Sequence, residues 1–247
     1  MANWSDPRIG ATPQPATTAP RDVAFDAGLR SHMLSVYNYM ASGVLLTGIV
    51  ALLFSRGGQD SIAFQLFAQG GILAWVVMLA PLGIVFWLSF GINRMSTGTA
   101  QLLFWVYAVL MGLSLSTIFL VYTGGSIAQT FFATAAAFAS LSLWGYTTKK
   151  DLSAFGTFLI MGLFGLIIAM VINLFLRSSA MDLAISAIGV LLFAGLTAYD
   201  TQKIKNTYAY VQGTDMLGKS AILGALTLYL DFINMFQFLL SFMGNRD

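Results

Sequence analysis

Seven long apolar stretches decide what this chain of 247 residues can fold into. They lie at about residues 34–54, 72–92, 101–122, 127–147, 154–176, 183–199 and 221–243. Each has the length, about 17–25 residues, that an α-helix needs to cross a bilayer. Only the last of them contains a charged residue, Asp231. Because the stretches are continuous rather than alternating, they are typical of transmembrane helices and not of a β-barrel.

Composition and the polar N-terminus set the domain organisation. The chain is 57% hydrophobic and 9% charged, whereas soluble domains carry about 25% charged residues. We therefore predict an all-α membrane protein in which residues 31–247 form one bundle of seven transmembrane helices. Residues 1–30 are polar and contain Pro13, Pro15 and Pro20, which predicts a disordered cytoplasmic tail.

The basic residues predict how the bundle sits in the membrane. With the N-terminus inside, the inner side holds Arg8, Arg21, Arg30, Arg94, Lys149, Lys150, Lys203, Lys205 and Lys219. The outer side holds Arg56, Arg177 and Arg246. Because cytoplasmic loops carry the excess of Lys and Arg, we predict a cytoplasmic N-terminus and a C-terminus outside.

The residue types that the chain lacks limit its chemistry. It has no Cys, its ten acids are all Asp, and its one His, His32, stands just ahead of the first stretch. Disulfides, thiolate catalysis and Cys-ligated metals are thereby excluded. A single His is poor support for a His-based metal site or a Ser-His-Asp triad. We expect no enzyme and no tightly bound cofactor, and we expect the lipid bilayer rather than nucleic acid as a partner.

A polar stripe marks the last stretch as the functional one. An Asp at the centre of a transmembrane helix costs roughly 2.5–3.5 kcal/mol on insertion scales, so Asp231 is a functional-site hypothesis. Thr227, Asn234 and Ser241 share its helical face, and Gln237 lies close to that face. The stripe must meet protein or water, which predicts that the last helix is central in the bundle. The alternative is a structural role, in which Asp231 only hydrogen-bonds a neighbouring helix.

A second acid, Asp200, lies near the cytoplasmic end of the sixth stretch. It shares a helical face with Thr197 and Thr201, and we predict that the sixth helix continues past it towards Lys203. Asp200 and Asp231 lie on consecutive antiparallel helices, and a longer sixth helix can bring their side chains together. Such a pair can hold a proton near neutral pH and can bind a hard cation through its oxygens. The alternative for Asp200 is an interfacial acid beside Lys203.

Three sequence motifs resemble those of the Bax inhibitor-motif family of multispan membrane proteins, in its bacterial branch. They are Ala198-Tyr-Asp-Thr-Gln-Lys203, Ala221-Ile-Leu-Gly-Ala-Leu-Thr-Leu-Tyr-Leu-Asp-Phe-Ile-Asn234 and Tyr146-Thr-Thr-Lys-Lys-Asp-Leu-Ser153. The resemblance covers roughly residues 30–245. It implies a bacterial inner-membrane protein with seven helices, the last surrounded by the other six, and a pH-sensitive calcium-leak activity.

The resemblance also implies roles for individual residues. Asp200 and Asp231 correspond to the hydrogen-bonded carboxylate pair of the family, which is the pH sensor and a weak Ca²⁺ site. An Arg on the second helix acts in the family as a latch to the first of these acids, and Arg94 is the nearest candidate here. Read from its position alone, Arg94 is a topology anchor. Ca²⁺ would then pass along a path beside Thr197, Asn234 and Gln237.

Three other functions compete with a calcium leak. Paired Asp residues on adjacent helices occur in presenilin-type intramembrane proteases, but Leu228-Tyr-Leu-Asp231 lacks the Gly-x-Gly-Asp of those enzymes. A regulatory partner of a membrane-bound, ATP-dependent protease would use the N-terminal tail. A proton-coupled cation exchanger would use the same Asp pair, with protons and Ca²⁺ as its ligands.

Overall fold

The computed structural model describes residues 19–68 and 70–245, and it describes side chains from residue 23 onward. Two single 3₁₀ turns, Gly58–Asp60 and Ile92–Arg94, interrupt a chain that is otherwise helical between short loops. The helices of the described part are α1 (Ala19–Ser55), α2 (Ile62–Ala68), α3 (Ile72–Gly91), α4 (Thr97–Leu115), α5 (Ile118–Val121), α6 (Gly124–Thr147), α7 (Ser153–Leu176), α8 (Ser179–Val211) and α9 (Met216–Met243).

Seven helical segments of the described chain are long and apolar enough to cross a membrane, which confirms the predicted all-α membrane fold. They are Val23–Ser55, Ile72–Arg94, Thr97–Val121, Gly124–Thr147, Ser153–Leu176, Ser179–Val211 and Met216–Met243. The second includes α3 with its 3₁₀ turn, and the third includes α4 with α5. Only α2, of seven residues, lies outside these spans, between the first and the second.

Two helices extend beyond the apolar stretches of the sequence. The predicted tail boundary at residue 30 is wrong, because α1 begins at Ala19. Residues 1–18, the remaining part of the predicted tail, lie outside the described residues. The sixth span continues past Asp200 to Val211, in agreement with the prediction. The two extensions support each other, since the rings of Phe25 and Tyr208 meet edge to face with centroids 5.2 Å apart.

Helix α9 forms the centre of the bundle, as the polar stripe predicted. Its apolar segment is 61% buried, against 17–39% for the other six spans, and it packs against α1, α4, α6 and α8. A buried cluster of hydrogen-bonded polar groups links α9 to α1 and α4. The Thr47 hydroxyl donates to the carbonyl oxygen of Ala108 at 2.8 Å, so the Tyr229 hydroxyl, 2.6 Å away, donates to Thr47.

The two ends of the bundle differ in charge, and we name them accordingly. We call the end where α8 stops and α9 starts the basic end, because Lys203, Lys205 and Lys219 lie there. The end where α8 starts and α9 stops is the opposite end. A short turn joins α8 to α9 at the basic end, and Gly213 within it adopts a positive φ of 75°, which glycine takes without steric cost.

Candidate functional site

The structure brings the two predicted acids together in the interior of the bundle. Antiparallel α8 and α9 approach closely, since a Cβ added at Gly224 would lie 3.2 Å from the Ile204 side chain. Asp200 is 8% exposed and Asp231 is 4% exposed. Their carboxyl groups are neighbours across the interface of α8 and α9. We call Asp200 and Asp231 the acid pair.

The acid pair is short of one hydrogen-bond donor. Among the described residues, no donor is in place for the buried Oδ2 of Asp231. Ionised carboxylates can only accept hydrogen bonds. If both acids were charged, two acceptors would face each other without a donor in a site of low polarity. A proton on either acid supplies the missing O–H donor. The pair is therefore complete with one shared proton and incomplete without it.

Threonine hydroxyls beside the acid pair are already engaged within their own helix. Thr201 donates to the carbonyl oxygen of Thr197 at 2.7 Å, and Thr197 donates to that of Phe193 at 2.8 Å. Both threonine side chains are fully buried. Thr197, which the sequence suggested as a pathway residue, lies in the closed layer of the bundle and does not line the cavities described below.

A cavity of about 300 Å³ leads towards the acid pair from the basic end. Asp200 lines it, but Asp231 does not. The other lining residues are His32, Ser89, Lys203, Ile204, Thr207, Ser220, Leu223, Gly224 and Thr227. We call it the basic-end cavity. His32 is 5% exposed, and its Nε2 has no hydrogen-bond partner in the described chain. Nothing in its sequence position signalled that His32 would share a cavity with Asp200.

A second cavity, of about 780 Å³, is set into the opposite end. Three residues of the predicted stripe line it, Asn234, Gln237 and Ser241, and the Ser241 hydroxyl is 3.0 Å from that of Ser186 on α8. We call it the opposite-end cavity. Its lining also includes Asp182, which accepts a hydrogen bond from Asn173. Sequence reasoning missed both, although an Asn inside the fifth apolar stretch was an available signal.

Asp231 lies between the two cavities, and Asp200 lines the basic-end cavity. Along α9, Thr227 lines the basic-end cavity and Asn234 lines the opposite-end cavity. Seven residues of helix rise by about 10 Å, and Asp231 stands between these two positions. The predicted stripe is thus divided in this structure between two cavities, and Asp231 lies in the closed segment between them.

Two of the sequence motifs meet in space beside the site. Gln202 donates from Nε2 to the carbonyl oxygen of Lys150 at 2.8 Å and accepts from the amide of Leu152 at 2.9 Å. It therefore fixes the loop between α6 and α7 to the helix that carries Asp200. In the same loop, hydrogen bonds from the hydroxyl and the amide of Ser153 lower the pKa of Asp151.

Comparison with known proteins identifies the family. The model of the family described as "Inhibitor of apoptosis-promoting Bax1" matches residues 29–247. The chain belongs to the Bax inhibitor family. The match extends from the first transmembrane span to the C-terminus, so it includes both cavities and the acid pair.

Relatives of similar length occur in several bacteria. An uncharacterized protein RP147 of Rickettsia prowazekii is 50% identical, over 93% of this chain and 96% of the relative. An uncharacterized protein of Caulobacter vibrioides is 48% identical, over 92% and 93%. The inner membrane protein YbhL of Escherichia coli K12 is 46% identical, over 89% and 94%. This member of the Bax inhibitor family is accordingly a multi-pass membrane protein.

Arg94 is not positioned as a latch for the acid pair in this structure. It lies exposed in the 3₁₀ turn after α3 and does not line the basic-end cavity. Within the described ranges, the one ion pair closer than 4.0 Å joins Lys219 to Asp215, at 3.7 Å. The residue of α3 that faces the basic-end cavity is Ser89. The family latch cannot be carried over to Arg94 from this arrangement.

The described residues offer little to hold a cation tightly. They contain no group of three or more His, Cys, Asp or Glu side chains placed to bind a metal. A cation at the acid pair would have two carboxylates as charged ligands and would take its other oxygens from neutral groups or water. Ca²⁺ prefers six to eight oxygen ligands, more than two carboxylates can supply.

Cysteine accessibility tests the two-cavity arrangement directly, because the chain has no Cys of its own. We expect Thr227→Cys and Asn234→Cys to react with a membrane-impermeant thiol reagent from opposite sides of sealed vesicles. Leu228→Cys is the control, since Leu228 is fully buried beside Thr227 and should react from neither side. Reaction of Thr227→Cys and Asn234→Cys from the same side would contradict the arrangement.

Proposed function

We propose that this protein is a pH-gated calcium leak channel of the bacterial inner membrane. The observation that carries the proposal is the position of the acid pair: Asp231 is buried between the two cavities at opposite ends of the bundle, and Asp200 lines one of them. An ion that passes from one cavity to the other has to cross only the short closed segment around the acid pair. The group that closes the path is also the group that titrates.

The shared proton is the gate in this proposal. With the proton present, the hydrogen bond between Asp200 and Asp231 holds α8 and α9 together and the layer is closed. Loss of the proton leaves two carboxylates in contact, and their repulsion separates the helices. The separated carboxylates then form a negative site that a divalent cation enters from one cavity and leaves by the other, past Asn234 and Gln237. Binding has to be weak for conduction, which the small number of charged ligands favours.

Orientation follows from the distribution of charge. We infer that the basic end faces the cytoplasm, because basic residues are retained on that side, and that the C-terminus lies outside. The relative named as an inner membrane protein supports the choice of membrane. In this orientation the acid pair exchanges protons with the cytoplasm through the basic-end cavity, which Asp200 lines.

Calcium flux into proteoliposomes tests the proposal. We expect flux above that of protein-free vesicles, rising by up to about tenfold per pH unit as one gating proton is lost. Asp200→Asn should remove this pH dependence, since an amide donor replaces the titrating group. Asp60→Asn, in an exposed turn after α1, is the matched control and should keep the wild-type profile. Absence of flux at every pH, from protein that is folded and inserted, would refute the leak.

A proton-coupled cation exchanger is the second candidate, because a closed layer between two cavities is also what alternating access requires. The same vesicles separate the two functions. With equal Ca²⁺ on both sides, the membrane potential clamped and a pH gradient imposed, an exchanger accumulates Ca²⁺ on the acidic side, whereas a leak produces no net movement. An uncoupler removes the pH gradient and should abolish that accumulation.

A further inference from the structure

A further cavity of the described structure belongs to neither end of the site. It is a groove of about 820 Å³ between α1 and α6, and its floor reaches Phe232 on α9. Its lining runs from Arg30 to Leu45 on α1, which is about 22 Å of helix. Exposed apolar side chains on its rim include Leu34, at 52%, and Leu143, at 63%. The α1–α6 groove therefore opens sideways towards the hydrocarbon of the membrane.

A polar cross-tie spans the floor of this apolar groove. The Tyr37 hydroxyl on α1 lies 2.6 Å from that of Ser142 on α6, and Ser142 lies 2.9 Å from the hydroxyl of Thr201 on α8. The Thr201 hydroxyl donates to its own helix, so Ser142 donates to Thr201 and Tyr37 donates to Ser142. The tie thus links α1, α6 and α8 by hydrogen bonds.

We propose that the α1–α6 groove binds one anionic phospholipid, with its phosphate at Arg30 and an acyl chain along the apolar walls. Arg30 lines the groove near the basic end, where the headgroups of one leaflet lie, and a guanidinium binds phosphate through paired hydrogen bonds. One leaflet contributes about 15 Å of hydrocarbon, half of the bilayer core. The groove is therefore long enough to take a whole acyl chain.

The floor of the groove favours a lipid chain over a transmembrane helix. The hydrogen bond from Tyr37 to Ser142 joins α1 and α6 across the floor and closes it against a deeper partner. A helix with its side chains is about 10 Å across, whereas an acyl chain is much thinner. A cavity of this size lined by apolar and aromatic side chains is ordinary for a single small ligand.

A lipid in this groove would contact the neighbour of Asp231 directly and would be linked to the neighbour of Asp200 through hydrogen bonds. Phe232, which follows Asp231 in α9, lies on the floor of the groove. Thr201, which follows Asp200 in α8, receives the last hydrogen bond of the cross-tie. A lipid bound in the groove could therefore shift the equilibrium between the joined and the separated arrangement of α8 and α9. Its binding does not depend on the proposed function and can be measured without any ion flux.

Native mass spectrometry of the delipidated protein tests the groove. With added phosphatidylglycerol or phosphatidylcholine, we expect one retained phosphatidylglycerol on the wild type and weaker retention of phosphatidylcholine. Ala139→Trp fills the groove from α6 and should abolish retention of both lipids. Arg30→Gln should reduce apparent affinity for phosphatidylglycerol about tenfold, the size of one charge-assisted contact, and should reduce that for phosphatidylcholine less, because its choline compensates the charge of the phosphate.

Each variant has a matched control: a Trp substitution elsewhere on α6, and removal of another Arg charge. Ala136→Trp places the same side chain on an exposed face of α6 that does not line the groove, and Arg56→Gln removes an exposed charge elsewhere. Both should behave as the wild type. Ala41→Phe fills the groove from α1, so the test stands if Ala139→Trp fails to fold. Equal lipid retention by the filled-groove variants and their controls would mean annular lipid only and would overturn the proposal. A wild-type dimer that the filled-groove variants lose would overturn it in favour of a second copy.

Discussion

Asp231→Asn is expected to hold calcium flux at the low level of the acidic wild type at every pH, whereas Asp231→Ala should hold it at the high level of the alkaline wild type. The asparagine amide donates a hydrogen bond to Asp200 without needing a proton, so the acid pair stays joined. Alanine has no donor, and the Asp200 carboxylate is left without its partner. Proteoliposome flux from pH 5 to 8 measures both variants, and the two profiles should be flat and about tenfold or more apart.

The control for this pair of variants is an acid that does not titrate in the measured range. Hydrogen bonds from Ser153 lower the pKa of Asp151, so this exposed carboxylate is already ionised well below neutral pH. Asp151→Asn should therefore leave the pH profile of flux unchanged. A pH-dependent profile in both Asp231 variants would mean that another group is the sensor. Identical flux in the two variants would mean that the hydrogen bond of the pair is not the gate.

The spans and the position of the last helix could be predicted because each depends on transfer from water to lipid. An apolar run of about 20 residues has one stable solution in a bilayer, which is a helix. A polar stripe on such a helix, here Thr227 to Ser241, has to face protein, so α9 had to be inside the bundle. The stripe alone could not reveal that its residues divide between two cavities, because that depends on how α7 and α8 close around it.

Helix ends outside the apolar runs were predicted less well, because contacts between helices decide them. The chain before residue 30 is polar, which suggested a tail, but Phe25 and His32 pack on Tyr208, with His32 and Tyr208 ring centroids 5.5 Å apart. Helix α1 therefore begins before its membrane span. No local sequence pattern predicts the contacts of Phe25 and His32 with Tyr208, which lies about 180 positions further along the chain.

Side chains around the acid pair show the same limit. Asp200 and Asp231 could be paired in advance because their helices are consecutive and antiparallel. The neighbours of the pair depend on the rotation of α1 and α3 about their axes, which the sequence does not specify. The expected neighbour Arg94 faces outward, while His32 and Ser89 face the basic-end cavity. Only the packed structure distinguishes these residues.

Gly145→Ala, which adds a single methyl group, is expected to destabilise the bundle strongly. A Cβ at Gly145 on α6 would overlap the carbonyl oxygen and backbone carbons of Ala198 on α8. Ala198 is 1% exposed and cannot move aside without shifting α8. Overpacking of this kind costs about 1–3 kcal/mol, so the thermal unfolding temperature in detergent should fall. Small residues at such crossings are what allow membrane helices to approach closely.

The matched control is Gly165→Ala on α7, where an added Cβ meets nothing within 4 Å. It gains helix propensity without a clash, so its unfolding temperature should equal or exceed that of the wild type. If Gly145→Ala is as stable as Gly165→Ala, then α6 and α8 do not touch at Ala198. The Ser142–Thr201 hydrogen bond, which needs the same close approach, would then be lost as well. If Gly145→Ala folds but its flux responds abnormally to pH, the cause lies in a displaced α8, because Ala198 is two residues from Asp200.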